Sequence, residues 1–260
     1  MAEVERTFSV NSRGVGLPDY SQSAPVGQVP VGPIYSSGDV AELAVRLGSP
    51  NSHDRRGNVI FWDSFENGFP RWRLVHLAGG TIELSTDRCR SGSTSLKMTP
   101  NDNDFVLADI FMPFPTLGLF GFETSFVWNE GIEQLAFSPS LQTGEINYKG
   151  SVSIRPSDHS IFIQGTELID NTITLSPNND YLFHTLKLVV NYLTGKFVRL
   201  ILDSTEYDIS RYDLITYAST ASPQLNYVIS VEVGGAVVFP LNHVEYIDDV
   251  IITQNEPPNT

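Results

Sequence analysis

The side chains able to do chemistry in this chain are acids, three tryptophans and five histidines. His53, His76, His159, His184 and His243 are dispersed, with no two at a metal-ligand spacing, so each reads as a surface or strand residue. No Gly-x-Ser-x-Gly elbow, phosphate-cradling glycine loop or His-Glu-x-x-His site occurs. Asp63, Glu66 and Asp249 carry carboxylates toward the two ends of the apolar-patterned region. Spacing alone selects no metal, and the same acids can end strands, cap turns or meet Arg and Lys. Trp62, Trp72 and Trp128 offer indole faces that either stack on sugar rings or pack a core. Trp128 alternates with Phe122 and Phe126, which reads as an inward stripe. Trp72 stands between Arg71 and Arg73 and is the expected carbohydrate-binding residue.

The elements that must position these groups are organised around residues 183–209. Leu186, Leu188, Val190 and Tyr192 share one face of a strand, because strand side chains alternate with period two. Asn191 to Gly195 supplies a turn, and Val198, Leu200 and Leu202 form the apolar face of the returning strand. Asp203-Ser204-Thr205 turns the chain into a short third strand, Glu206 to Ile209. Three such strands bury too little alone, so a second sheet must cover them.

The rest of residues 58–254 supplies it. Strands are expected over 58–66, Trp72 to Leu77, Thr81 to Ser85, Thr94 to Thr99 and Asp104 to Phe111, the last ended by Pro113 and Pro115. Phe120 to Trp128 alternates strongly, with Phe122, Thr124 and Phe126 on one side and Glu123, Ser125 and Val127 on the other. Leu135-Ala136-Phe137, Glu145 to Ile154, Ser160 to Gln164, Tyr227 to Val233 and Val244 to Ile252 continue the pattern, while Tyr212 to Pro223 reads as irregular. Many short strands at regular spacing predict an all-β antiparallel sandwich.

Residues 1–57 differ in kind. The first 36 are rich in Gly, Pro and Ser and hold no lasting period, which fits either a floppy tail or an extended arm laid on a neighbour. Phe8, Leu17, Tyr20, Val29, Ile34 and Tyr35 are the side chains by which such an arm would anchor to another subunit. Asp39, with Glu42 three residues on, and the shared face of Val40, Leu43, Ala44 and Leu47 predict a short helix near 38–47, stopped by Gly48. A strand built on Leu43, Val45 and Leu47 competes with it. A polar link carrying the basic pair Arg55-Arg56 follows, and residues 255–260 form a C-terminal tail.

Composition bounds the function. The chain has 260 residues, 41% of them hydrophobic, enough for one large β domain with a core. A formal net charge of -14 opposes nucleic-acid and anionic-membrane partners. Cys89 is the only cysteine, so an intrachain disulfide is impossible. No apolar run is long enough to span a bilayer, and Met1 to Val10 lacks the apolar core of a signal peptide.

Two patches resemble known folds. Asp63-Ser64-Phe65-Glu66-Asn67-Gly68 with Trp72, Gly92-Ser93-Thr94-Ser95-Leu96-Lys97 and Tyr246-Ile247-Asp248-Asp249-Val250 are similar to jelly-roll carbohydrate-binding modules. His184 to Ile209 resembles the concanavalin-like and laminin-G-like sandwiches. The resemblance implies a jelly-roll β-sandwich, surface glycans as ligands, and a structural calcium ion held by Asp63, Glu66 and Asp249. A concanavalin-like glycosidase carries Glu-x-Asp-x-x-Glu on one strand; the run from Glu245 to Asp249 comes nearest and its spacing is wrong, so no enzymatic activity is expected. The arm, the helix and the link before the first strand resemble phage structural proteins with lectin-like domains. The expectation is therefore a virion component, assembled in a host cytoplasm, joined to other subunits through its arm. The alternative is a soluble carbohydrate-binding module, with a polysaccharide-degrading enzyme third.

Overall fold

A computed structural model describes residues 56–76, 79–101, 105–113, 116–127, 132–157, 159–173, 175, 182–233 and 244–258. The expected arm, its six anchoring residues Phe8, Leu17, Tyr20, Val29, Ile34 and Tyr35, the short helix and Trp128 lie outside these residues. The strands are β1 (Asn58–Asp63), β2 (Trp72–His76), β3 (Thr81–Ser85), β4 (Ser95–Thr99), β5 (Phe105–Pro113), β6 (Leu119–Val127), β7 (Gln134–Gln142), β8 (Ile146–Lys149) and β9 (Val152–Arg155). They continue as β10 (Ser160–Ile163), β11 (Glu167–Asp170), β12 (His184–Asn191), β13 (Lys196–Leu202), β14 (Thr205–Asp208), β15 (Ile215–Ala218), β16 (Gln224–Glu232) and β17 (Glu245–Gln254).

They form two antiparallel sheets, an all-β jelly-roll sandwich. An eight-stranded sheet runs β14-β13-β12-β6-β17-β4-β3, with β1 also on β17. A nine-stranded sheet runs β11-β10-β9-β7-β16-β5-β2, with β15 and β8 added along β7. Alternation fixes which side chains meet between them. Phe120, Phe122, Thr124 and Phe126 of β6 face inward, as do Leu225, Tyr227, Ile229 and Val231 of β16. Phe122 meets Tyr227 with ring centroids 5.1 Å apart, Phe126 meets Phe137 at 5.6 Å, and the Thr124 hydroxyl satisfies the Tyr227 hydroxyl at 2.7 Å.

Leu186, Leu188, Val190, Leu200 and Leu202 are all buried, as their alternation predicts. Val198 departs from its expected face. The register slips between Val189↔Arg199 and Val190↔Phe197, so Val198 is the extra residue of a bulge and Phe197 takes the inward place. The expected single strand 145–154 is two strands. Gly150 breaks it, donating to Pro139 O, where an added Cβ would lie 3.2 Å from both Phe197 and Leu214. Pro113 closes β5 rather than stopping it earlier. β11 and β15 form where no strand was expected, both pairing along one edge only.

A carboxamide strip as the candidate functional site

The outer face of the nine-stranded sheet is built by the residues that alternate with the core. On β7 these are Gln134, Ala136, Ser138, Ser140 and Gln142; on β16 they are Gln224, Asn226, Val228, Ser230 and Glu232. Register aligns them into rows across the strands. One row is Tyr217, Asn147, Gln142, Gln224 and Pro113; the next is Ile215, Lys149, Ser140, Asn226 and Phe111. Tyr217 and Phe111 thus bracket a patch of carboxamides and a hydroxyl, over four strand spacings or about 19 Å. Tyr217 is 50% exposed and Phe111 39%.

The carboxamides are incompletely satisfied. Asn147 is 4% exposed and donates from Nδ2 to the Tyr217 hydroxyl at 2.7 Å, yet its Oδ1 accepts nothing. Gln142 Oε1 and Asn226 Oδ1 are likewise buried without a partner. An unpartnered buried acceptor costs free energy, and these three stand on the neighbouring strands β7, β8 and β16 of one face. Ser153 Oγ, further along the same face, is a fourth such atom.

Within the two rows the charged residue is Lys149, which is exposed. Arg73 lies over the Phe111 ring at 4.8 Å and binds the buried Asp109, so that pair is internally neutral. Arg155 lies over Phe162 at 4.1 Å and donates to Gln134 and to Gly165 O, each at 3.3 Å.

The residues singled out from sequence fall elsewhere. Trp72 is not a sugar platform: it is 7% exposed, with Phe61 and Phe65 against its ring, and its Nε1 donates to Asp63 at 3.0 Å. The alternation that exposes Arg71 and Arg73 turns Trp72 inward. Asp63 also accepts from Phe65 N, closing the turn after β1. Glu66 accepts from the backbone N–H groups and hydroxyls of Ser93 and Thr94. Those backbone donors hold its pKa down, at about 2. Asp249 sits in the β17 bulge, accepting from Ser91 Oγ at 2.9 Å with Arg90 at 3.6 Å. Glu66 and Asp249 therefore grip the same 90–94 loop, each through its own donors, while Asp63 binds Trp72. Among the described residues no group of three or more His, Cys, Asp or Glu stands ready to hold a metal ion.

The bulge gathers a second polar cluster that sequence reasoning did not find. Asp248 is fully buried and accepts from Arg90 N, Ser91 N and Asp249 N. Burial, and then the Asp249 charge, push its carboxyl up to about 7. Burial raises Asp249 also. Glu245, at the start of β17, is fully buried with neither carboxylate oxygen bonded, and burial drives it well above the usual range. These acids lie in or beneath the eight-stranded sheet, away from the carboxamide strip.

No protein-family model and no curated protein matches the chain. Several solved structures are similar to the chain. The cellulose-induced protein Cip1 is 16% identical with a TM-score of 0.46, covering 77% of this chain and 100% of its own. An endo-beta-1,4-glucuronan lyase from the fungus Trichoderma reesei is 11% identical with a TM-score of 0.48, over 76% and 96%. TmCBM61, solved with beta-1,4-galactotriose, is 11% identical with a TM-score of 0.40, over 74% and 94%. At these scores no ligand and no residue role is carried from them to this chain.

Proposed function

We propose that this protein is a non-catalytic glycan-binding sandwich that takes sugars on the outer face of its nine-stranded sheet. The observation that supports this best is the register that lines up the carboxamides of Asn147, Gln142, Gln224 and Asn226 between the exposed rings of Tyr217 and Phe111. Sugar hydroxyls donate to carboxamide oxygens and accept from the same amides, while the C–H faces of a pyranose stack on aromatic rings. Binding rather than hydrolysis follows from where the acids stand. Among the described residues of this face the strand carboxylates are Asp109, bound to Arg73, and Glu232, set four residues along from the Asp109 row. Four residues span about 13 Å, beyond the separation at which two carboxylates share a glycosidic bond.

The particle-component reading rests on residues 1–57, nearly all outside the described residues, and the glycan reading replaces it as the better supported. Probing a glycan array with the full chain, beside Tyr217→Ala and Asn147→Ala, tests the proposal. Retention of a glycan class that both substitutions weaken at least about tenfold is the expected result. Failure to retain any glycan, or binding indifferent to both substitutions, would overturn it.

A further inference from the structure

The two ends of the described sandwich meet over the outer face of the eight-stranded sheet, on the side away from the carboxamide strip. Glu256 is 3% exposed there. It binds Lys187 Nζ at 2.7 Å and Arg199 at 2.6 Å, and accepts from the Thr253 hydroxyl. Each cation also reaches a backbone carbonyl. Arg199 donates to Pro257 O at 2.9 Å and Lys187 to Arg56 O at 3.2 Å. Lys187 thus joins the segment entering β1 to the segment leaving β17. The backbone is fitted to this cluster. An added Cβ at Gly57, whose φ is +87°, would lie 2.5 Å from Glu256 Oε1. One at Gly121, beneath it, would lie 2.7 Å from the same oxygen and 2.8 Å from Lys187 Cε. The Arg56 guanidinium meets Glu206 at 3.2 Å.

We infer that Glu256, Lys187 and Arg199 form a clasp that shields the Arg56–Gly57 peptide bond and fixes where residues 1–55 join the sandwich, opposite the carboxamide strip. The basic pair Arg55-Arg56 makes this bond a trypsin site in an extended chain. A protease must draw several residues into extended conformation around the bond it cuts. Here the Arg56 carbonyl is engaged by Lys187 and Gly57 is seated against Glu256, so cleavage requires the clasp to open locally. Breaking the buried Lys187–Glu256 pair makes that opening costly, because it strands buried charge.

The test uses the full chain, native trypsin digestion read by intact mass, and hydrogen exchange of residues 253–256. Wild type resists cleavage at Arg56–Gly57. Lys187→Met, which leaves the Arg199–Glu256 pair in place, accelerates that cleavage by at least about tenfold while residues 253–256 stay protected. Glu256→Ala releases both segments; should it fail to fold, Glu256→Gln and Lys187→Met carry the test. Wild-type cleavage at this bond as fast as in an unfolded peptide of the same sequence would overturn the clasp. So would Lys187→Met cleaved at the wild-type rate, or lost protection spreading through the nine-stranded sheet.

Discussion

Raising the pH from about 4.5 to about 7.5 destabilises this protein, because buried acids on β17 are held protonated by the fold. Asp248 titrates near 7 in the folded state against an ordinary 3.8, through burial first and the Asp249 charge second. Burial alone raises Glu245 well above its ordinary range in the same direction. For an acid raised on folding, the native state binds the proton that the unfolded chain has released. Stability therefore falls as pH climbs from the unfolded pKa to the folded one. Between about pH 4.5 and 7.5 the Asp248 shift alone corresponds to about 3 kcal/mol. For a domain of this size that is about 6–12 °C in Tm. Glu66, held down at about 2 while exposed, acts oppositely, its contribution being lost as pH falls below about 4.5. The optimum is thus mildly acidic. Differential scanning calorimetry between pH 4 and 8, on wild type and Glu245→Gln, measures it. The amide removes one titration, so the variant matches wild type at about pH 4.5 and exceeds it at about pH 7.5. A wild-type Tm that rises over this range, or a Glu245→Gln variant less stable at pH 7.5, would refute the reasoning.

Other outcomes follow from the packing and the turns. Leu188→Ala, at the centre of β12, costs about 2–5 kcal/mol in urea unfolding by leaving a cavity. Trp72→Ala costs about 3–5 kcal/mol by the same measurement and leaves the affinity of any retained glycan unchanged, because its ring packs on Phe61 and Phe65 rather than on the outer face. Millimolar calcium leaves the Tm unchanged, since Ser93 and Thr94 supply Glu66 with donors and Ser91 supplies Asp249 Oδ1; a calcium-dependent rise removed by chelation would support the expected metal site instead.

The core was legible from sequence because its alternation is strong. Phe122, Thr124 and Phe126, or Leu186, Leu188 and Val190, declare an inward face without further help. The candidate site was not, because its side chains are those that punctuate loops. The expected strand Leu135-Ala136-Phe137 is only part of β7, in which Leu135, Phe137, Pro139 and Leu141 continue one buried face through Ser138-Pro139-Ser140. The same holds for Gln224 and Asn226, where the expected strand began only at Tyr227. Period two was the available signal: polar residues alternating with buried ones mark the solvent face of a sheet. β15 carries no such signal, since all four of its residues are exposed and only pairing with β8 defines it. Trp72 was misplaced for the converse reason. Its arginine neighbours suggested exposure, whereas alternation sends them outward and the indole in.

The central claim is that sugars bind across Gln142, Asn147 and Asn226. The most direct measurement is an NMR titration of isotope-labelled full-length protein with an oligosaccharide retained on the array, following side-chain carboxamide resonances. The account predicts that the amides of Gln142, Asn147 and Asn226 shift together, with those of β7, β8 and β16, while Lys187, Arg199 and Thr253 on the opposite face stay still. Shifts confined to the eight-stranded sheet, or to loops with these three carboxamides unmoved, would contradict it.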